Sequence, residues 1–368
     1  MSMKKIQSAY ADVQKVDFSP YRRVVAISDI HGDREGFDGV LQKVGFSEED
    51  ALVIVGDILE KGDHSLELLQ KVKTLAQNGN VYMVLGNNDT AFRNLYSDFF
   101  SDKDICWYMN SGKKTVLVEM ADALGMPYAS EDDIVKLKIA IRDVFGEEYA
   151  YLESVPHIID SNLAVFVHAG LKPGSLWEQD PQYCMAAPAF SRQTYHFDRK
   201  VIVGHWPATN YCETIIDANA FYKAETNVYS IDGGNSMKSW QQINYLILRN
   251  DGTVENGYYD AQPKIKVLNT QAASRQPLTL VFPNTLLEIR EKGERDSRCY
   301  VPFLQREMMV PNNRIYHYGG NTYRWDYTDY HLPVEAGEIV SLCGEMDDEL
   351  LIKRNGIVGK YSGGYSMV

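Results

Sequence analysis

Five short apolar runs, each followed at once by a cluster of Gly, Asp, Asn or His, constrain this chain more than any other feature. The runs are VVAIS, ALVIVG, VYMVLG, LAVFVH and VIVG, at residues 24–28, 51–56, 81–86, 163–168 and 201–204. Apolar runs of this length suit strands that are buried on both faces of a sheet. The pattern therefore predicts a buried sheet with polar clusters at the ends of its strands.

Amphipathic helix patterns separate the first three runs. In the first pattern, the apolar residues at helical spacing are Phe37, Val40, Leu41 and Val44. In the second they are Leu66, Leu69 and Val72, after two candidate N-caps, Asp63 and Ser65. Strand and helix in alternation predict an α/β sheet, and ligands of such sheets bind at the carboxyl ends of the strands. The polar clusters are therefore expected to converge on one site.

The character of the sequence changes along the 368 residues, and two domains are expected for this length. Residues 1–260 are predicted to form the main domain, with a helical insertion at about 90–155. Residues 261–277 lack periodicity and carry two prolines, as a linker would. Residues 278–368 offer short strand patterns broken by Gly, Pro, Asn and Asp, which predict a small all-β barrel.

Charge and cysteine content narrow the class of protein. The net charge of -13 opposes binding to extended nucleic acid, which requires many Lys and Arg contacts to phosphates. The five cysteines are odd in number and contain no CxxC pair, which favours a reducing compartment. No apolar stretch is long enough for a membrane span or a signal peptide. We therefore expect a cytoplasmic protein without a membrane partner.

The polar clusters supply carboxylate, imidazole and amide groups, and no thiolate. Their candidate metal ligands are Asp29, His31, Asp57, Asn87, His168 and His205. Such nitrogen and oxygen ligands suit Mn²⁺, Fe or Zn²⁺, and six of them exceed the needs of one tetrahedral ion. Two divalent ions bridged by Asp57 would use them all. Each residue alone would be ordinary turn chemistry or a structural histidine, so the prediction depends on their convergence.

The motif order D-x-H, G-D-x-x-x-K-G, G-N-x-D, H-A-G and G-H-x-P resembles the phosphoprotein-phosphatase branch of the calcineurin-like metallophosphoesterases. Within that branch, residues 22–250 look most like bacterial Ser/Thr phosphatases and symmetrical diadenosine tetraphosphatases. The resemblance implies an α/β (α+β) fold, a β-sandwich flanked by helices, and the C-terminal tail resembles a Src-homology barrel. It also implies that a metal-bridging hydroxide attacks phosphorus.

The same resemblance assigns roles to single residues. Asp29 and His31 would hold the first metal, Asp57 would bridge, and the remaining three ligands would hold the second. Lys61 stands where the family usually has an arginine that binds phosphate, and a lysine supplies charge without the bidentate fork. Arg192 stands where relatives place a second phosphate-binding arginine.

The sequence departs from the family at two positions that act together. The family motif has a histidine that protonates the leaving group and an aspartate that orients it; here they read Asn88 and Glu60. Asparagine has no titrating proton. The enzyme would then favour good leaving groups such as phosphoanhydrides, or His64 or His196 would supply the proton, or the domain would be a weakly active binding module. Retention of every metal ligand opposes the last alternative.

Three functions follow in order of expectation. The first is a Ser/Thr protein phosphatase-like phosphomonoesterase, and the alternative is a dinucleoside polyphosphate hydrolase, for which Trp107, Tyr108 and Trp206 would stack on a base. The third is an interaction protein whose C-terminal domain binds a peptide or protein partner. The sequence alone separates a phosphoprotein from a nucleotide substrate poorly.

Overall fold

The two compact units of the chain appear in a computed structural model that describes residues 9–95 and 100–368. The first unit contains Met1–Pro207 and Ala220–Ala261, and the second contains Ala208–Asn219 and Gln262–Val368. The first eight residues, which entered the prediction of localisation, and residues 96–99 of the predicted insertion lie outside the described part. None of the described helices is long and apolar enough to cross a membrane.

The first unit alternates strands and helices in its early part. The α-helices among its described residues are α1 (Arg34–Val44), α2 (Ser65–Ala76), α3 (Asp102–Met109), α4 (Val116–Leu124), α5 (Glu131–Val144), α6 (Gly146–Ser154) and α7 (Pro181–Ala186). The strands up to residue 259 are β1 (Val13–Val16), β2 (Arg23–Ile27), β3 (Asp50–Ile54), β4 (Val81–Met83), β5 (Ile158–Ser161), β6 (Val165–Val167), β7 (Val201–Val203), β8 (Ile216–Asp217), β9 (Phe221–Lys223), β10 (Val228–Ser230), β11 (Ile243–Leu248) and β12 (Val254–Tyr259). Of these, β8 belongs to the second unit.

Two sheets face each other in the first unit. One has the strand order β1-β5-β6-β7-β10-β9, and the other has the order β12-β11-β2-β3-β4. Strands β2, β3 and β4 are parallel, as are β6, β7 and β10, so the carboxyl ends within each set lie at one edge of their sheet. The five apolar runs form β2, β3, β4, β6 and β7, as the sequence predicts.

Alternating side chains of these strands enter different layers of the core. On β2, Val24 and Ala26 pack between the two sheets, whereas Val25 and Ile27 pack beneath the helices. On β6, Phe166 points between the sheets, and its neighbours on either side lie in a third apolar cluster. Strands covered on both faces have no room for polar side chains except at their ends. The predicted β-sandwich flanked by helices is therefore confirmed, and the polar clusters of the five apolar runs lie at the ends of their strands.

Four helices, α3 to α6, occupy the segment where the sequence predicts an insertion. Helices α3 and α5 are capped locally at Ser101 and Ser130, whose side chains form capping boxes with Asp104 and Asp133. Helix α2 differs, because neither predicted N-cap serves it. Instead Glu119 of α4 accepts hydrogen bonds from the backbone N–H groups of its first two residues, at 2.9 and 2.7 Å. The insertion thus stabilises the start of a helix that belongs to the sandwich.

The second unit is all-β among its regular elements. Beyond β8 its strands are β13 (Lys264–Val267), β14 (Thr279–Leu280), β15 (Leu286–Glu291), β16 (Asp296–Val301), β17 (Arg306–Pro311), β18 (Ile315–Tyr318), β19 (Asn321–Arg324), β20 (Tyr327–Thr328), β21 (Ile339–Met346), β22 (Glu349–Arg354), β23 (Ile357–Tyr361) and β24 (Tyr365–Met367). They form sheets of six, two and five strands, with orders β24-β13-β21-β22-β23-β8, β14-β20 and β17-β16-β15-β19-β18.

The boundary between the units differs from the predicted linker at 261–277. Strand β13 lies inside that stretch and pairs with β21 and β24. Its sequence KIKV alternates, so that Ile265 and Val267 are fully buried while the lysines face outward. An alternation of apolar and polar residues over only four positions, in a stretch that contains two prolines, is too short to predict a strand. Residues 208–219, predicted to belong to the first domain, also join the second unit, because β8 pairs with β23.

The buried carboxylate of Asp50 anchors the start of β3 to two arginine side chains. Asp50, at the start of β3, is fully buried and accepts hydrogen bonds from Arg22 and Arg23 at about 3 Å. Burial alone would raise the pKa of Asp50, but the hydrogen bonds from Arg23, Arg22 and the Ser47 N–H outweigh it and lower that pKa. Asp50 therefore stabilises the fold above its ordinary pKa, and this stabilisation is lost as the pH falls through the lowered value.

We expect Asp50→Asn to lower the free energy of unfolding at pH 7 by on the order of 3 kcal/mol, because two guanidinium groups lose their buried anion. The difference between variant and wild type should narrow as the pH falls below about 4, because the carboxyl group of the unfolded chain is protonated there and that of the folded protein follows at its lowered pKa. Thermal unfolding followed by circular dichroism from pH 7 to pH 3 measures both. The control is Glu49→Gln, whose side chain is 74% exposed and lies 3.7 Å from Arg22. A destabilisation that stays the same from pH 7 to pH 3 would contradict the stabilising role of the ionised Asp50 carboxylate.

Candidate metal centre and phosphoester site

The six predicted ligands lie at the carboxyl ends of five strands. Asp29 and His31 follow β2, Asp57 follows β3 and Asn87 follows β4, whereas the other two, His168 and His205, follow β6 and β7 of the facing sheet. Asp29, His31, Asp57 and His168 are almost fully buried. The fold therefore brings together side chains that are up to 176 residues apart in sequence, as between Asp29 and the backbone N–H of His205.

Two groups of candidate ligands share one carboxylate. Asp29, His31 and Asp57 offer ligand atoms that lie within 4.8 Å of one another, and Asp57, His168 and His205 do the same. The two oxygens of Asp57 divide between the groups: Oδ2 is 3.8 Å from Nε2 of His31, and Oδ1 is 3.4 Å from Nε2 of His168. Asp57 would therefore be the ligand shared by the two groups if each held a cation.

Backbone carbonyl groups orient two of the imidazoles. Nδ1 of His31 lies 3.1 Å from the carbonyl oxygen of Leu59, and Nδ1 of His168 lies 2.8 Å from that of Val55. A carbonyl oxygen only accepts, so Nδ1 carries a hydrogen in both rings and Nε2 is the nitrogen that faces the centre. Such carbonyl contacts are the usual support of histidines that bind metals.

The amide of Asn87 provides a test of whether a cation fits. As placed, its oxygen lies 3.3 Å from Nε2 of His168 and faces acceptor atoms, including Nδ1 of His205. Acceptors facing one another repel unless a cation lies among them; the reversed amide would instead donate to both rings. In addition, Oδ2 of Asp232 is buried and has no hydrogen-bond partner among the described residues. The donor set therefore fits divalent cations.

The pKa shifts of the buried side chains in the centre also fit a site for divalent cations. Burial raises the pKa of Asp29 well above its usual range, and the neighbouring carboxylate of Asp232 adds to this. Burial lowers the pKa of His31 to about 4 and that of His205 to about 3, so both rings are neutral and able to bind a metal. His168 differs: burial opposes its protonation, but Asp57 raises its pKa to about 10. Without metal, the proton on His168 balances the negative charge of Asp57, and a divalent cation would bring more positive charge to the same place.

The backbone at these loops is held in an unusual conformation. The candidate site residues with left-handed φ angles are Asp29 (52°), His31 (50°), Asp57 (57°), Glu60 (68°), Lys61 (71°) and His205 (66°). Non-glycine residues adopt this region at a cost, and such residues cluster at functional sites because the surrounding structure holds them. These residues lie in the turns that follow β2, β3 and β7.

One buried carboxylate that the sequence analysis missed organises these turns. Asp89 is fully buried and accepts four backbone N–H groups. Its Oδ2 bonds to the N–H groups of Asp57 and Gly86, at 2.8 and 2.9 Å, and its Oδ1 bonds to those of Ile58 and Leu59, at 2.9 and 3.2 Å. Its place at the end of the G-N-N-D motif was the available signal, but spacing alone does not distinguish a ligand from a residue that holds the loop.

Two glycines allow the loops to approach one another. A Cβ atom on Gly86 would lie 2.2 Å from Oδ1 of Asp57, and one on Gly204 would lie 2.2 Å from Oδ2 of Asp29. Neither neighbour can move without displacing a candidate ligand. These positions therefore require glycine because of close packing.

Asn88 and Glu60, the positions that depart from the family pattern, do not form a dyad with each other. The backbone N–H of Asn88 donates to Oδ1 of Asp57 at 2.8 Å, and its side-chain amide donates to Oδ2 at 2.5 Å. Glu60 is buried and accepts from the hydroxyls of Tyr108 and Thr115 and from the N–H of Val116. Asn88 thus fixes the shared carboxylate, while Glu60 binds the helical insertion.

The remaining predicted residues lie at different distances from the centre. Nζ of Lys61 is 3.0 Å from Nε2 of His31, so its ammonium group borders the candidate ligands. Arg192 lies on the 3-10 turn Phe190–Arg192 with an exposed side chain, and its role in binding phosphate stays a prediction. His64 is half exposed at the start of α2, and His196 is exposed with Nδ1 facing the carbonyl of Glu225 at 3.1 Å. Their predicted role as acids stays open.

Two cavities adjoin the centre through different residues. The first, of about 560 Å³, is lined by Asn87, Asn88 and Glu60 together with side chains of α3 and α4. The second, of about 440 Å³, is lined by Lys61, His64 and Lys114 among others. The two sets of lining residues do not overlap. A substrate with a group on each side of its reacting phosphorus would therefore find separate space for both.

Comparison with known proteins identifies the family. The sequence model of the calcineurin-like phosphoesterase family matches residues 22–244, which is more than half of the chain. The chain belongs to this family. The prediction of a metallophosphoesterase made from the motifs is therefore confirmed at the level of the family, whose members depend on divalent metals.

Individual relatives match over shorter stretches. The chain is 40% identical over 78 residues to a protein of Buchnera aphidicola subsp. Baizongia pistaciae named bis(5'-nucleosyl)-tetraphosphatase, symmetrical, a match covering 21% of this chain and 27% of that one. It is 29% identical over 150 residues to the protein of that name from Aggregatibacter actinomycetemcomitans, covering 40% and 44%. The chain thus spans less than half the length of these curated relatives.

Solved structures with a similar fold include a protein serine/threonine phosphatase from Saccharomyces cerevisiae. The match has a TM-score of 0.43 and 14% sequence identity, and it covers 70% of this chain and 88% of that one.

We expect Asp57→Asn to abolish metal-dependent turnover, with a loss on the order of 100-fold or more, because the shared ligand serves both groups. Metal content by elemental analysis should fall from two equivalents of Mn²⁺ to one or none, while the circular dichroism spectrum stays that of the wild type. The control is Asp38→Asn on α1, a partly exposed carboxylate that pairs with Lys71. Full metal content in Asp57→Asn would refute the shared-ligand assignment.

Proposed function

We propose that the chain hydrolyses phosphoric anhydrides with the help of two divalent cations, and that its substrate is a dinucleoside polyphosphate. The observation that carries the choice of substrate is the environment of Asn88, whose amide donates to Asp57 and which has no titrating proton. A leaving group that departs as a stable anion, such as a nucleotide phosphate, needs no such proton. The names of the relatives support the same choice.

The residues that would hold the cations are the two groups described above, with Asp57 shared between them. When bound, Mn²⁺, Fe or Zn²⁺ ions would supply Lewis acidity to the phosphoryl group and make water a better nucleophile at neutral pH. The protein's own contribution is orientation. The carbonyls of Leu59 and Val55 fix the two imidazoles, and the amide and N–H of Asn88 fix both oxygens of Asp57.

Lys61 provides the positive charge for the phosphate chain. Its ammonium group lies between Nε2 of His31, at 3.0 Å, and Sδ of Met237, at 3.2 Å, and neither partner neutralises it. An ammonium group at this place would bind a phosphoryl oxygen as a point charge. Because Lys61 also lines the second cavity, a phosphate chain extending there would stay in contact with it.

The Ser/Thr phosphatase that the sequence analysis placed first receives less support than the dinucleotide alternative. A protein phosphatase acts on serine and threonine esters, whose alkoxide leaving groups need a proton donor most. The two separate cavities also favour a substrate with substituents on both sides of the reacting phosphorus. A binding module without activity is disfavoured by the buried and oriented ligand atoms, and nothing supports a peptide or protein partner for the second unit.

The proposal predicts a strong preference for anhydrides. Protein stripped of metal and reloaded with Mn²⁺ should hydrolyse diadenosine tetraphosphate with a kcat/KM about 100-fold or more above that for a phosphoserine peptide, because a missing general acid costs the ester most. Steady-state kinetics with both substrates, before and after reloading, measure this. An equal or higher kcat/KM with the peptide would favour the protein phosphatase. Activity that is unchanged after metal stripping would contradict the requirement for divalent cations.

Replacing Asn88 by histidine should restore a titrating donor at this position. We expect Asn88→His to raise kcat for phenyl phosphate about 10-fold or more relative to its kcat for diadenosine tetraphosphate, because only the phenolate leaving group benefits from a proton. Asn88→Ala serves as the matched variant, since it also loses the bond to Asp57 but gains no proton. If the two variants behave alike with both substrates, the missing acid does not explain the substrate preference.

A further inference from the structure

The first cavity has an apolar part that the candidate metal centre does not explain. It extends from Asn87 and Asn88 along α3 and α4, where Ile105 of α3 and Leu117 of α4 are buried in its wall. Trp107, on α3, lines the cavity with 69% of its surface exposed. A large indole left exposed beside a polar centre is typical of a surface that binds a flat ligand.

The charges in this cavity exclude a second phosphate site. Its ionisable lining residues are the carboxylates Glu60 and Asp104, and no Lys or Arg lines it among the described residues. The cations near the centre, Lys61 and Lys114, line the other cavity. An uncharged aromatic group next to the phosphoryl group therefore suits the first cavity, and its volume of about 560 Å³ is within the range of small-molecule sites.

Glu60 connects this cavity to the centre. Its Oε1 accepts from Oγ1 of Thr115 at 2.9 Å and from the N–H of Val116 at 3.0 Å, and its Oε2 accepts from the hydroxyl of Tyr108. Tyr108 is near the end of α3, and Thr115 is the N-cap of α4. The loop that carries Asp57 and Lys61 is thus joined to both helices by one buried carboxylate, which we call the Glu60 clamp.

Tyr108 and its neighbour Trp107 have different roles in this cavity. The hydroxyl of Tyr108 is bound by Glu60, and Nζ of Lys113 lies 5.7 Å from the centre of its ring. Tyr108 therefore belongs to the clamp, which removes it from the predicted stacking residues. Its neighbour Trp107 has no such contacts with the clamp, and its exposed ring face is available to a ligand.

We propose that the first cavity binds a nucleobase of the substrate against Trp107, and that Glu60 is the positioning residue that sets the distance between this base site and the phosphoryl centre. The proposal rests on the proposed function and names the part of the chain that would recognise the nucleoside. Base stacking on an aromatic side chain tolerates any base, so the site would select for a nucleoside without strong preference among bases.

The experiment compares diadenosine tetraphosphate with inorganic tripolyphosphate, which has the same anhydride bond and no base. In Trp107→Ala, Tyr108→Phe and Glu60→Gln, the ratio of kcat/KM for the dinucleotide to that for tripolyphosphate should fall about 10-fold, the loss of roughly one base stack. The fall should appear in KM. Matched controls are Tyr318→Phe, 72% exposed in the second unit, and Glu147→Gln, whose side chain is 90% exposed; both should keep the wild-type ratio.

Binding of ADP by isothermal titration calorimetry provides a readout that does not depend on hydrolysis. The affinity should fall about 10-fold in the same three variants and stay unchanged in both controls. Unchanged affinity in Trp107→Ala would overturn the base site. A parallel loss with dinucleotide and tripolyphosphate in Glu60→Gln would mean that Glu60 acts on the phosphoryl centre. If the wild type hydrolyses tripolyphosphate but not the dinucleotide, the proposed function fails, and the ADP titration still decides the base site.

Discussion

The carboxylate of Asp89 is the constraint on which the rest of the centre depends. It accepts four N–H groups from two loops, those that follow β3 and β4, and so joins the left-handed turn at Asp57 to the loop that carries Asn87 and Asn88. A buried anion with four hydrogen bonds is stable only while all of its donors stay in place. Because one of these donors is the N–H of Asp57, the direction of the shared carboxylate is set by the backbone. The candidate ligands are therefore oriented before any cation arrives.

This orientation has an electrostatic cost that explains why a cation belongs here. The centre collects carboxylate oxygens, imidazole nitrogens and the amide oxygen of Asn87, and most of these side chains are buried. In the absence of metal, the proton on His168 compensates Asp57, while burial and nearby charge raise the pKa of Asp29 and keep His31 and His205 neutral. Divalent cations would satisfy the same atoms without requiring a proton.

Sequence reasoning succeeded where a feature depends on short-range pattern. The apolar runs predicted the strands and the convergence of the candidate ligands that follow them, since a strand buried on both faces can carry polar groups only at its ends. It failed where a partner is distant. Nothing near α2 indicates that Glu119 caps it from 53 or 54 residues away, and nothing near residue 60 indicates Tyr108 as its partner. Strand β13 was missed because its alternation of buried and outward-facing residues spans only four positions, in a stretch that also contains two prolines.

The two departures from the family pattern become intelligible when they are considered together. An aspartate that orients a histidine has no task once the histidine is replaced by Asn88, whose amide turns to Asp57. The longer side chain at Glu60 then reaches the hydroxyls of Tyr108 and Thr115 and joins two helices of the insertion to the loop. A carboxylate that would otherwise support proton transfer thus supports the wall of a cavity. Under the proposed function, the two replacements exchange acid catalysis for substrate placement, which an anhydride substrate tolerates and an alkyl ester does not.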